Sequence, residues 1–339
     1  MTNIPGTMLA LIQKHGGYSG QMEGPHIDNA ADFIELAEIA VPVPAKGQVL
    51  VKLRASSVNP SDLHFIKGEY GQPRIKGAAA GFEGCGDVVA GAAHMIGKRV
   101  GFVAATAGAW AEYVVIDTMM AIPLRPEISD EDGAAQIVNP LTAMAMVDIA
   151  ASAGDAFVIS AATSQLGKLM IGLAKDMGLN AICLVRRKNA ITPLLALGAA
   201  AVIVTTDDSF CADFEAISRK YKPRVFLDAV CDQVSETVFT RMPNGARWVC
   251  YGKLSTETPV LTQMGQFTFM GKQIEGFWLT NWMRNTPPTD QMRVIGEVQA
   301  RFADGRWKTD ISARLKLREV EDGLADALKL PDGKVIIIP

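Results

Sequence analysis

One stretch of the chain, residues 157–188, restricts the fold more than any other. It begins with the short apolar run Phe157–Ser160, which is typical of a parallel strand covered on both faces. Apolar residues at three- and four-residue spacing then predict one buried helix face: Leu166, Leu169, Met170, Leu173, Ala174 and Met177. Gly178 suits the end of this helix, and Leu179–Val185 predicts the next buried strand. The stretch is therefore predicted to be a β-α-β unit.

The turn of this unit, Ala162–Gly167, places free backbone N–H groups at a helix N-terminus, where a pyrophosphate can bind. The turn lacks the full G-x-G-x-x-G pattern, and a β-α-β unit with a single glycine can also bind nothing. About 20 residues after such a turn, an NAD site usually offers Asp or Glu to the ribose hydroxyls. This chain has Arg186, Arg187 and Lys188 there, which can pair with a ribose phosphate. We favour NADPH as the cofactor; a solvated basic strand end is the alternative.

The residues before this unit predict a compact, turn-rich β domain of about 120–130 residues. Val49–Ala55 alternates between apolar and polar residues, which is the pattern of a half-exposed strand. Strands are predicted at Leu9–Gln13, Phe33–Ile39, Val49–Ala55, Asp87–Ala90, Lys98–Val103 and Ala111–Ile116. A bridge at Pro123–Asp132 follows, in which Ser129 or Asp130 can cap the next helix.

The rest of the chain alternates strands with helices, which predicts a parallel sheet with helices on both faces. Asp132–Asp155 is predicted to be helical and broken at Asn139-Pro140, and Asp208 to cap a helix that runs to Lys220. Further strands are predicted at Val202–Val204, Val225–Ala229, Trp248–Tyr251 and Ile274–Leu279. Residues from Asp310 onward are predicted to return to the first domain as strands. The fold class is therefore α/β, with residues 1–131 and 310–339 in one domain and residues 132–309 in the other.

Composition excludes several classes of protein. The net charge of −3 is spread along the 339 residues without a basic block, which argues against nucleic acid as a partner. No run reaches the roughly 18 apolar residues of a membrane-spanning helix, and the opening residues do not resemble a secretory signal. The five cysteines include no C-x-x-C pair, which argues against a disulfide framework. We expect a cytoplasmic enzyme.

Four stretches of the chain carry a family resemblance. They are Asn59-Pro60-Ser61-Asp62 through Gly68-Glu69-Tyr70, Val138–Ala143, the turn at Thr163–Gly167, and Gly276–Leu279 with Trp282. The chain resembles the medium-chain dehydrogenase/reductase superfamily, and within it the 2-enoyl thioester reductases of the mitochondrial fatty-acid synthesis type. The resemblance implies a GroES-like β-barrel catalytic domain, a Rossmann domain with a doubly wound parallel sheet, and a homodimer.

Many relatives in this superfamily are zinc alcohol dehydrogenases, and zinc requires converging Cys, His or carboxylate ligands. The positions of the catalytic ligands in those relatives hold Asn59 and Phe82 here, and neither side chain is a suitable ligand. The four-cysteine structural-zinc loop has no counterpart, and the four histidines are dispersed along the chain. Cys85 lies in a glycine-rich strand and is predicted to be part of the core. We therefore predict no metal.

Tyr70 is the candidate catalytic residue, because it matches a tyrosine at the active site of the enoyl thioester reductases. Hydride transfer from a nicotinamide to an activated alkene requires positioning and polarisation of the substrate carbonyl, and a proton for the α-carbon. An unperturbed tyrosine, with a pKa of about 10, is protonated at neutral pH and can donate either a hydrogen bond or a proton. The alternative is that Tyr70 only packs in its loop.

The resemblance also implies a set of cofactor contacts, each of which has a purely structural alternative. The proposed residues are Asn139, Thr142, Thr163, Ser164, Gln165, Leu166, Gly167, Arg186, Arg187, Lys188, Tyr251, Gly252, Lys253, Leu254, Phe277, Trp278, Leu279 and Lys334. Gln165 replaces a residue that is usually smaller in the family. The substrate pocket is expected to include Asn59, Trp110 and Trp278.

These observations predict an oxidoreductase that uses NADPH to reduce the activated double bond of a trans-2-enoyl thioester. The carrier is coenzyme A or acyl carrier protein, and the sequence does not distinguish them. A quinone or short enone reductase is the second interpretation, since those relatives share everything except Tyr70 and the context of Gly276–Leu279. A dinucleotide-binding protein without catalytic activity is the third.

Overall fold

The structure is a computed structural model that describes residues 4–104, 108–330 and 333–339. The chain folds into two compact units. One consists of Met1–Val138 with Gly296–Pro339, and the other consists of Asn139–Ile295. The second unit therefore begins at Asn139 and ends at Ile295, whereas the bounds expected from the sequence are residues 132 and 309.

The described residues form strands and helices with the following bounds. The strands are β1 (Thr7–Gln13), β2 (Ile34–Ala40), β3 (Gln48–Ser57), β4 (Glu83–Gly91), β5 (Arg99–Val103), β6 (Tyr113–Asp117), β7 (Ala121–Pro123), β8 (Ala156–Ile159), β9 (Asn180–Val185), β10 (Ala201–Val204), β11 (Val225–Asp228), β12 (Arg247–Cys250), β13 (Gln273–Gly276), β14 (Ile311–Lys316) and β15 (Lys334–Ile338). The helices are α1 (Pro60–Lys67), α2 (Asp130–Ala134), α3 (Val138–Ala151), α4 (Gln165–Asp176), α5 (Ile191–Leu197), α6 (Phe210–Tyr221), α7 (Gln233–Arg241), α8 (Gly265–Met270), α9 (Leu279–Asn285), α10 (Pro288–Ala303) and α11 (Val320–Ala327).

The first unit is built around the long strand β3. This strand pairs antiparallel with β4, with β6 at its start and with β15 at its end. β5 and β7 continue the sheet beyond β4, and β14 pairs in parallel with β15. Because β15 pairs with β3, the predicted return of the C-terminal residues to the first domain is confirmed. Helix α11, which lies between β14 and β15 in the chain, was not predicted.

Two segments near the domain boundary belong to the first unit because of what they contact. Helix α2 packs on β3 and β4, and the Cys85 thiol donates to the Asp130 carbonyl at 3.0 Å. At the end of α10, the Gln299 side chain donates to the Pro123 carbonyl at 2.9 Å and accepts from the Arg125 N–H at 3.1 Å. These side-chain contacts explain why the compact units divide inside the region that the sequence assigns to one domain.

The second unit is a six-stranded sheet in the order β10-β9-β8-β11-β12-β13, and all neighbouring strands are parallel. In chain order this is the 3-2-1-4-5-6 arrangement of the Rossmann fold. The direction of winding reverses between β8 and β11, which leaves a crevice at the carboxyl ends of these two strands. The central strands are fully buried, as their continuous apolar sequences predict. The predicted α/β class, with a Rossmann domain built on a doubly wound parallel sheet, is confirmed.

One local prediction is confirmed in part and another is wrong. The helical region 132–155 is broken as predicted, but the break lies at residues 135–137, between α2 and α3, and Asn139-Pro140 lies in the first turn of α3. Proline is tolerated there since its missing N–H would have no partner within the helix. Asp208 does not cap α6, because a turn in which the Phe210 N–H donates to the Asp207 carbonyl delays the helix to Phe210. Within the described residues, no helix is both long enough and apolar enough to cross a membrane.

Candidate active site

The turn between β8 and α4 has the local geometry of a phosphate-binding turn. Ser164 is the N-cap of α4, and its hydroxyl accepts from the Gly167 N–H at 3.1 Å. A Cβ atom at Gly167 would lie 2.6 Å from the Ala162 carbonyl oxygen, so only glycine lets the helix start this close to the strand end. Thr163, Gln165 and Leu166 complete the turn and are partly exposed. The turn therefore presents a helix N-terminus without a bulky side chain at its closest approach.

The backbone is strained on both sides of the crevice in the sheet. Ala161, after β8, and Cys231, after β11, have φ values of +47° and +57°. L-residues other than glycine rarely adopt this conformation, and such positions cluster at ligand-binding sites. The two strain sites follow the two adjacent central strands, which is where a doubly wound sheet binds its ligand.

A buried carboxylate connects these two strand ends. Asp228 is fully buried at the end of β11 and accepts from the Ser160 hydroxyl at 2.5 Å and from the Trp248 indole N–H at 2.8 Å. The Ser160 oxygen in turn accepts from the Ala229 N–H at 2.8 Å. Neither Ser160 nor Asp228 was predicted as a site residue. The signal that could have identified Asp228 is a carboxylate at the end of an otherwise apolar strand, which must find donors when buried.

The cationic cluster lies next to the turn. β8 and β9 pair in parallel with Ile159 opposite Cys183, so the strand end that carries Arg186 and Arg187 adjoins the turn after β8. Both arginines are exposed. Lys188 forms an ion pair with Asp207 at 3.1 Å. The structure thus brings the two arginines together with the turn, and Lys188 lies beside a carboxylate.

The loop Tyr251–Leu254 is fastened to the strand ends by its backbone. The Tyr251 N–H donates to the Asp228 carbonyl and the Leu254 N–H to the Ala229 carbonyl, both at 2.9 Å. The Lys253 ammonium donates to the Cys231 carbonyl at 3.2 Å and also to the Glu257 carbonyl. Gly252, between them, allows the loop to approach Ala229 closely.

Tyr251, which follows β12, carries an orphaned polar atom. Its hydroxyl oxygen is buried and has no hydrogen-bond partner among the described residues. Burial raises the pKa of this hydroxyl far above its usual range, and the negative charge of Asp228 adds to the effect. A buried hydroxyl is normally paired, so a bound ligand or water is the expected partner. Together with the turn and the two arginines, this atom fits a phosphorylated dinucleotide.

The remaining predicted cofactor contacts of this unit lie at two other places. Phe277, Trp278 and Leu279 follow β13, and the Phe277 N–H donates to the Cys250 carbonyl at 2.8 Å. Trp278 is the N-cap residue of α9 and is partly exposed. Asn139 and Thr142 lie in the first turns of α3, where Asn139 is partly exposed and Thr142 is buried.

In the first unit, Tyr70 lies in the loop after α1. Its ring is partly exposed and packs against Phe82 at 5.1 Å and against Phe65 at 6.3 Å between ring centroids. Phe82 is held in turn by Asp62, whose carboxylate accepts from the backbone N–H groups of Phe82 and Asn59, each at 2.7 Å. Burial raises the pKa of Asp62 to about 7. The Tyr70 ring thus packs on Phe65 and Phe82, which we call the platform, and Asp62 holds the backbone of Phe82 in place.

A buried polar network lies under this platform and includes two of the predicted site residues, Asn59 and Lys334. The Asn59 amide donates to Glu83 at 2.9 Å and to the Ser57 hydroxyl at 3.2 Å, while its oxygen accepts from the Lys334 ammonium. Lys334 also donates to the Val58 carbonyl at 3.5 Å, and burial lowers its pKa. The Lys334 side chain thus lies in this network, and Asn59 is only 1% exposed; their proposed roles at the cofactor and in the substrate pocket stay predictions.

Trp110, which was predicted to line the substrate pocket, is a core residue of the first unit. It is completely buried, and its indole N–H donates to the Ser57 carbonyl at 3.3 Å. Its ring fills the space that a side chain at Gly81 would occupy. Glu83, which no prediction named, is the centre of the network: its other carboxylate oxygen accepts from the N–H groups of Ile137 and Val138 at 3.2 and 2.9 Å.

The described residues contain no cluster of three or more His, Cys, Asp or Glu side chains placed to hold a metal ion. Asn59 and Phe82 occupy the positions named above as zinc-ligand positions. Cys85 is fully buried, as predicted for a core residue, and burial raises the pKa of its thiol to about 12. A thiol in this state is poorly suited to the deprotonation that metal binding requires.

Comparison with protein families gives two matches along the chain. A family model described as an alcohol dehydrogenase GroES-like domain matches residues 45–126. A second, described as a zinc-binding dehydrogenase, matches residues 166–294. The two matches fall in the β-rich first unit and in the parallel-sheet second unit.

Individual relatives cover nearly the whole chain. A crystal structure from Mesorhizobium loti, provisionally assigned as an NADPH:quinone reductase, is 44% identical with a TM-score of 0.95, and the match covers 100% of both chains. Human mitochondrial enoyl-[acyl-carrier-protein] reductase is 26% identical over 341 residues, which is 96% of this chain and 87% of that protein. Etr1p, an enoyl thioester reductase of Candida tropicalis solved with NADP and crotonyl-CoA, has a TM-score of 0.82 at 21% identity, covering 98% of this chain and 100% of its own. At that identity Etr1p shows a common fold.

Proposed function

Because the chain belongs to the medium-chain dehydrogenase/reductase superfamily, we propose that it uses NADPH to reduce the activated double bond of a trans-2-enoyl thioester. The thioester is carried on coenzyme A or acyl carrier protein. The observation that carries this choice is Tyr70, a partly exposed tyrosine whose ring is fixed by Phe65 and Phe82. The extent of the similarity to human enoyl-[acyl-carrier-protein] reductase supports it.

The second unit supplies the cofactor-binding residues in this proposal. The N–H groups at the start of α4 bind the pyrophosphate, since Ser164 and Gly167 hold that turn open. Arg186 and Arg187 pair with the ribose phosphate, and the buried Tyr251 hydroxyl finds its missing partner at the crevice. Bound NADPH would supply the hydride for the β-carbon of the substrate.

Tyr70 has a separate role, which is to stabilise the negative charge that develops on the substrate. Addition of hydride to the β-carbon builds enolate charge on the thioester oxygen and the α-carbon. A hydroxyl aimed at this charge lowers the barrier more than it stabilises the ground state. Tyr70 donates a hydrogen bond to the oxygen or a proton to the α-carbon.

The test is Tyr70→Phe, which keeps the ring contacts with Phe65 and Phe82 and removes only the hydroxyl. We expect kcat on crotonyl-CoA to fall by about 10²- to 10⁴-fold, while the Kd for NADPH and the melting temperature stay unchanged. Tyr18→Phe is the matched control, because Tyr18 is 61% exposed and no role is proposed for it. Unchanged kcat and KM in Tyr70→Phe would contradict the proposed role of Tyr70.

A quinone or enone reductase is the second candidate function, favoured by the 44% identity to the Mesorhizobium loti protein. Steady-state NADPH oxidation distinguishes the candidates, when measured with crotonyl-CoA, with a quinone and without an acceptor. Oxidation of NADPH with the quinone but not with crotonyl-CoA would favour this candidate. Binding of NADPH without turnover of either acceptor would favour a dinucleotide-binding protein without catalytic activity.

The proposal includes three further features. No metal takes part, because Asn59 and Phe82 stand at the ligand positions. The protein forms a homodimer through the edge strand β13, beside which Met264 and Phe269 are 62% and 85% exposed. Light scattering after size exclusion would then give twice the monomer mass.

The expected location is cytoplasmic, although the human relative is mitochondrial, and cell fractionation would decide between the two.

A further inference from the structure

Glu69, the residue directly before Tyr70, has an unusual environment for a loop carboxylate. Its side chain is only 1% exposed. Its two oxygens accept from the backbone N–H groups of Glu23 and Gly24 at 3.0 and 3.1 Å. They also lie 3.1 Å from the His64 imidazole Nδ1 and 3.3 Å from the Lys67 ammonium. A buried carboxylate with four partners holds its own backbone in place.

These contacts connect two segments that are distant in sequence. His64 and Lys67 belong to the last turn of α1, whereas Glu23 and Gly24 belong to an irregular segment before β2. Lys67 strengthens the connection, because its ammonium also donates to the Gly24 carbonyl at 2.8 Å and the His26 carbonyl at 3.2 Å. The carboxylate therefore fixes the point where the chain leaves α1 and enters the Tyr70 loop.

The other end of the loop is held by a buried arginine. The Arg74 guanidinium donates to the Ile66 carbonyl at 3.1 Å and the Gly17 carbonyl at 3.0 Å. Gly68 ends α1 with a φ of +79°, and a Cβ atom there would lie 2.6 Å from the guanidinium carbon. Between Glu69 and Arg74, the Tyr70 ring packs on Phe65 and Phe82.

We propose that Glu69 is a positioning residue for the reaction, which sets the direction of the Tyr70 hydroxyl by fixing the start of its loop. This inference rests on the proposed function of Tyr70. Glu69 itself points away from solvent and makes its contacts inside the first unit, so it acts through Tyr70 and not on the substrate. Displacement of a catalytic group by about 1 Å can cost roughly 10²-fold in rate. Loss of the Glu69 carboxylate therefore lowers kcat and leaves NADPH binding unchanged.

The central variant is Glu69→Gln, which keeps the shape but turns an N–H donor toward the partners of one oxygen. We expect kcat on crotonyl-CoA to fall by about 10- to 100-fold, with the Kd for NADPH changed by less than about twofold. Glu23→Gln is the matched control. It removes a charge from the same cluster, where the exposed Glu23 carboxylate lies 3.4 Å from Lys67, but the Glu23 N–H that binds Glu69 remains. We expect its kcat to equal that of the wild type.

A double-mutant cycle with Tyr70→Phe separates positioning from mere stabilisation. If Glu69 acts through Tyr70, Glu69→Gln changes kcat by less than about twofold when the hydroxyl is already absent. Equal fold losses in both backgrounds would overturn the proposal, as would an unchanged kcat in Glu69→Gln. If Tyr70→Phe alone has no effect, the proposed function of Tyr70 fails first, which is a distinct outcome.

Glu69→Gln leaves the buried Lys67 with only the exposed carboxylate of Glu23 as a partner and can therefore reduce folding. The variant Lys67→Met with Glu69→Gln removes both buried charges together and keeps similar side-chain volumes. We expect this double variant to melt close to the wild type and still to show the reduced kcat. Wild-type kcat in the folded double variant would overturn the positioning role.

Discussion

The phosphate turn of the second unit and the Tyr70 loop of the first unit are both short loops at a helix end, but they are held in different ways. The turn is fixed by neighbours in sequence: Ser164 bonds the N–H of Gly167, and Gly167 allows contact with Ala162. The Tyr70 loop is fixed by distant partners, since Glu69 bonds the N–H groups of Glu23 and Gly24. Backbone geometry thus holds the phosphate turn, and a buried ionic network holds the Tyr70 loop. We therefore expect substitutions that add bulk to disrupt the turn, and substitutions that remove a charge to disrupt the loop.

The largest loss of NADPH affinity is expected when a side chain is added at Gly167. In Gly167→Val the new Cβ would lie 2.6 Å from the backbone of Ala162, so the start of α4 must move. Displacement of the N–H groups at the start of α4 loses charge-assisted bonds of about 1.5–3 kcal/mol each, which together weaken NADPH by roughly 100-fold or more. The overpacking itself costs about 1–3 kcal/mol of folding stability. Isothermal titration with NADPH is the measurement.

Gly296→Ala is the control for this variant, because a Cβ atom there meets no atom within 4 Å. Its affinity for NADPH should equal that of the wild type. Wild-type affinity in Gly167→Val would mean that the turn does not bind the pyrophosphate.

The same difference explains how much could be predicted from the sequence. The β-α-β unit, its turn and the basic strand end are local patterns of spacing and residue type, and the structure has them where they were predicted. The network of Asn59, Glu83 and Lys334 joins residues that lie far apart in the chain, so no local pattern indicates it. For the same reason the sequence does not indicate that the first unit buries Lys334 and Trp110.

A smaller loss of NADPH affinity is expected when the positive charges beside the turn are removed. Replacing Arg186 and Arg187 by alanine removes charge-assisted bonds of about 1.5–3 kcal/mol, which weakens NADPH by about 10- to 100-fold. NADH lacks the ribose phosphate, so its affinity should change by less than about twofold. Lys188→Ala is a useful comparison, because Lys188 is already paired with Asp207. Equal losses for both cofactors in the double variant would rule out recognition of the ribose phosphate.

The smallest effect concerns the platform under Tyr70 and appears as a pH dependence of stability. Burial raises the pKa of Asp62 from 3.8 to about 7. In the folded state the carboxyl therefore holds its proton at pH values where the unfolded chain has lost it. Its contribution is complete below pH 3.8 and falls as the pH rises through about 7. Between pH 6 and 7 the loss is about 1 kcal/mol of unfolding free energy, or about fivefold in the unfolding constant.

Asp62→Asn tests this because an amide does not titrate. The variant will be less stable overall, since its NH₂ group faces a backbone N–H where the carboxylate oxygens accept from Asn59 and Phe82. The informative quantity is therefore the slope of unfolding free energy against pH, measured by urea denaturation at pH 5, 6, 7 and 8, and not the free energy itself. We expect the slope between pH 6 and 7 to differ from that of the wild type by about 1 kcal/mol per pH unit. Identical slopes would mean that Asp62 is already ionised in the folded first unit at these pH values, and that a charged carboxylate, not a neutral carboxyl, holds the N–H groups of Asn59 and Phe82.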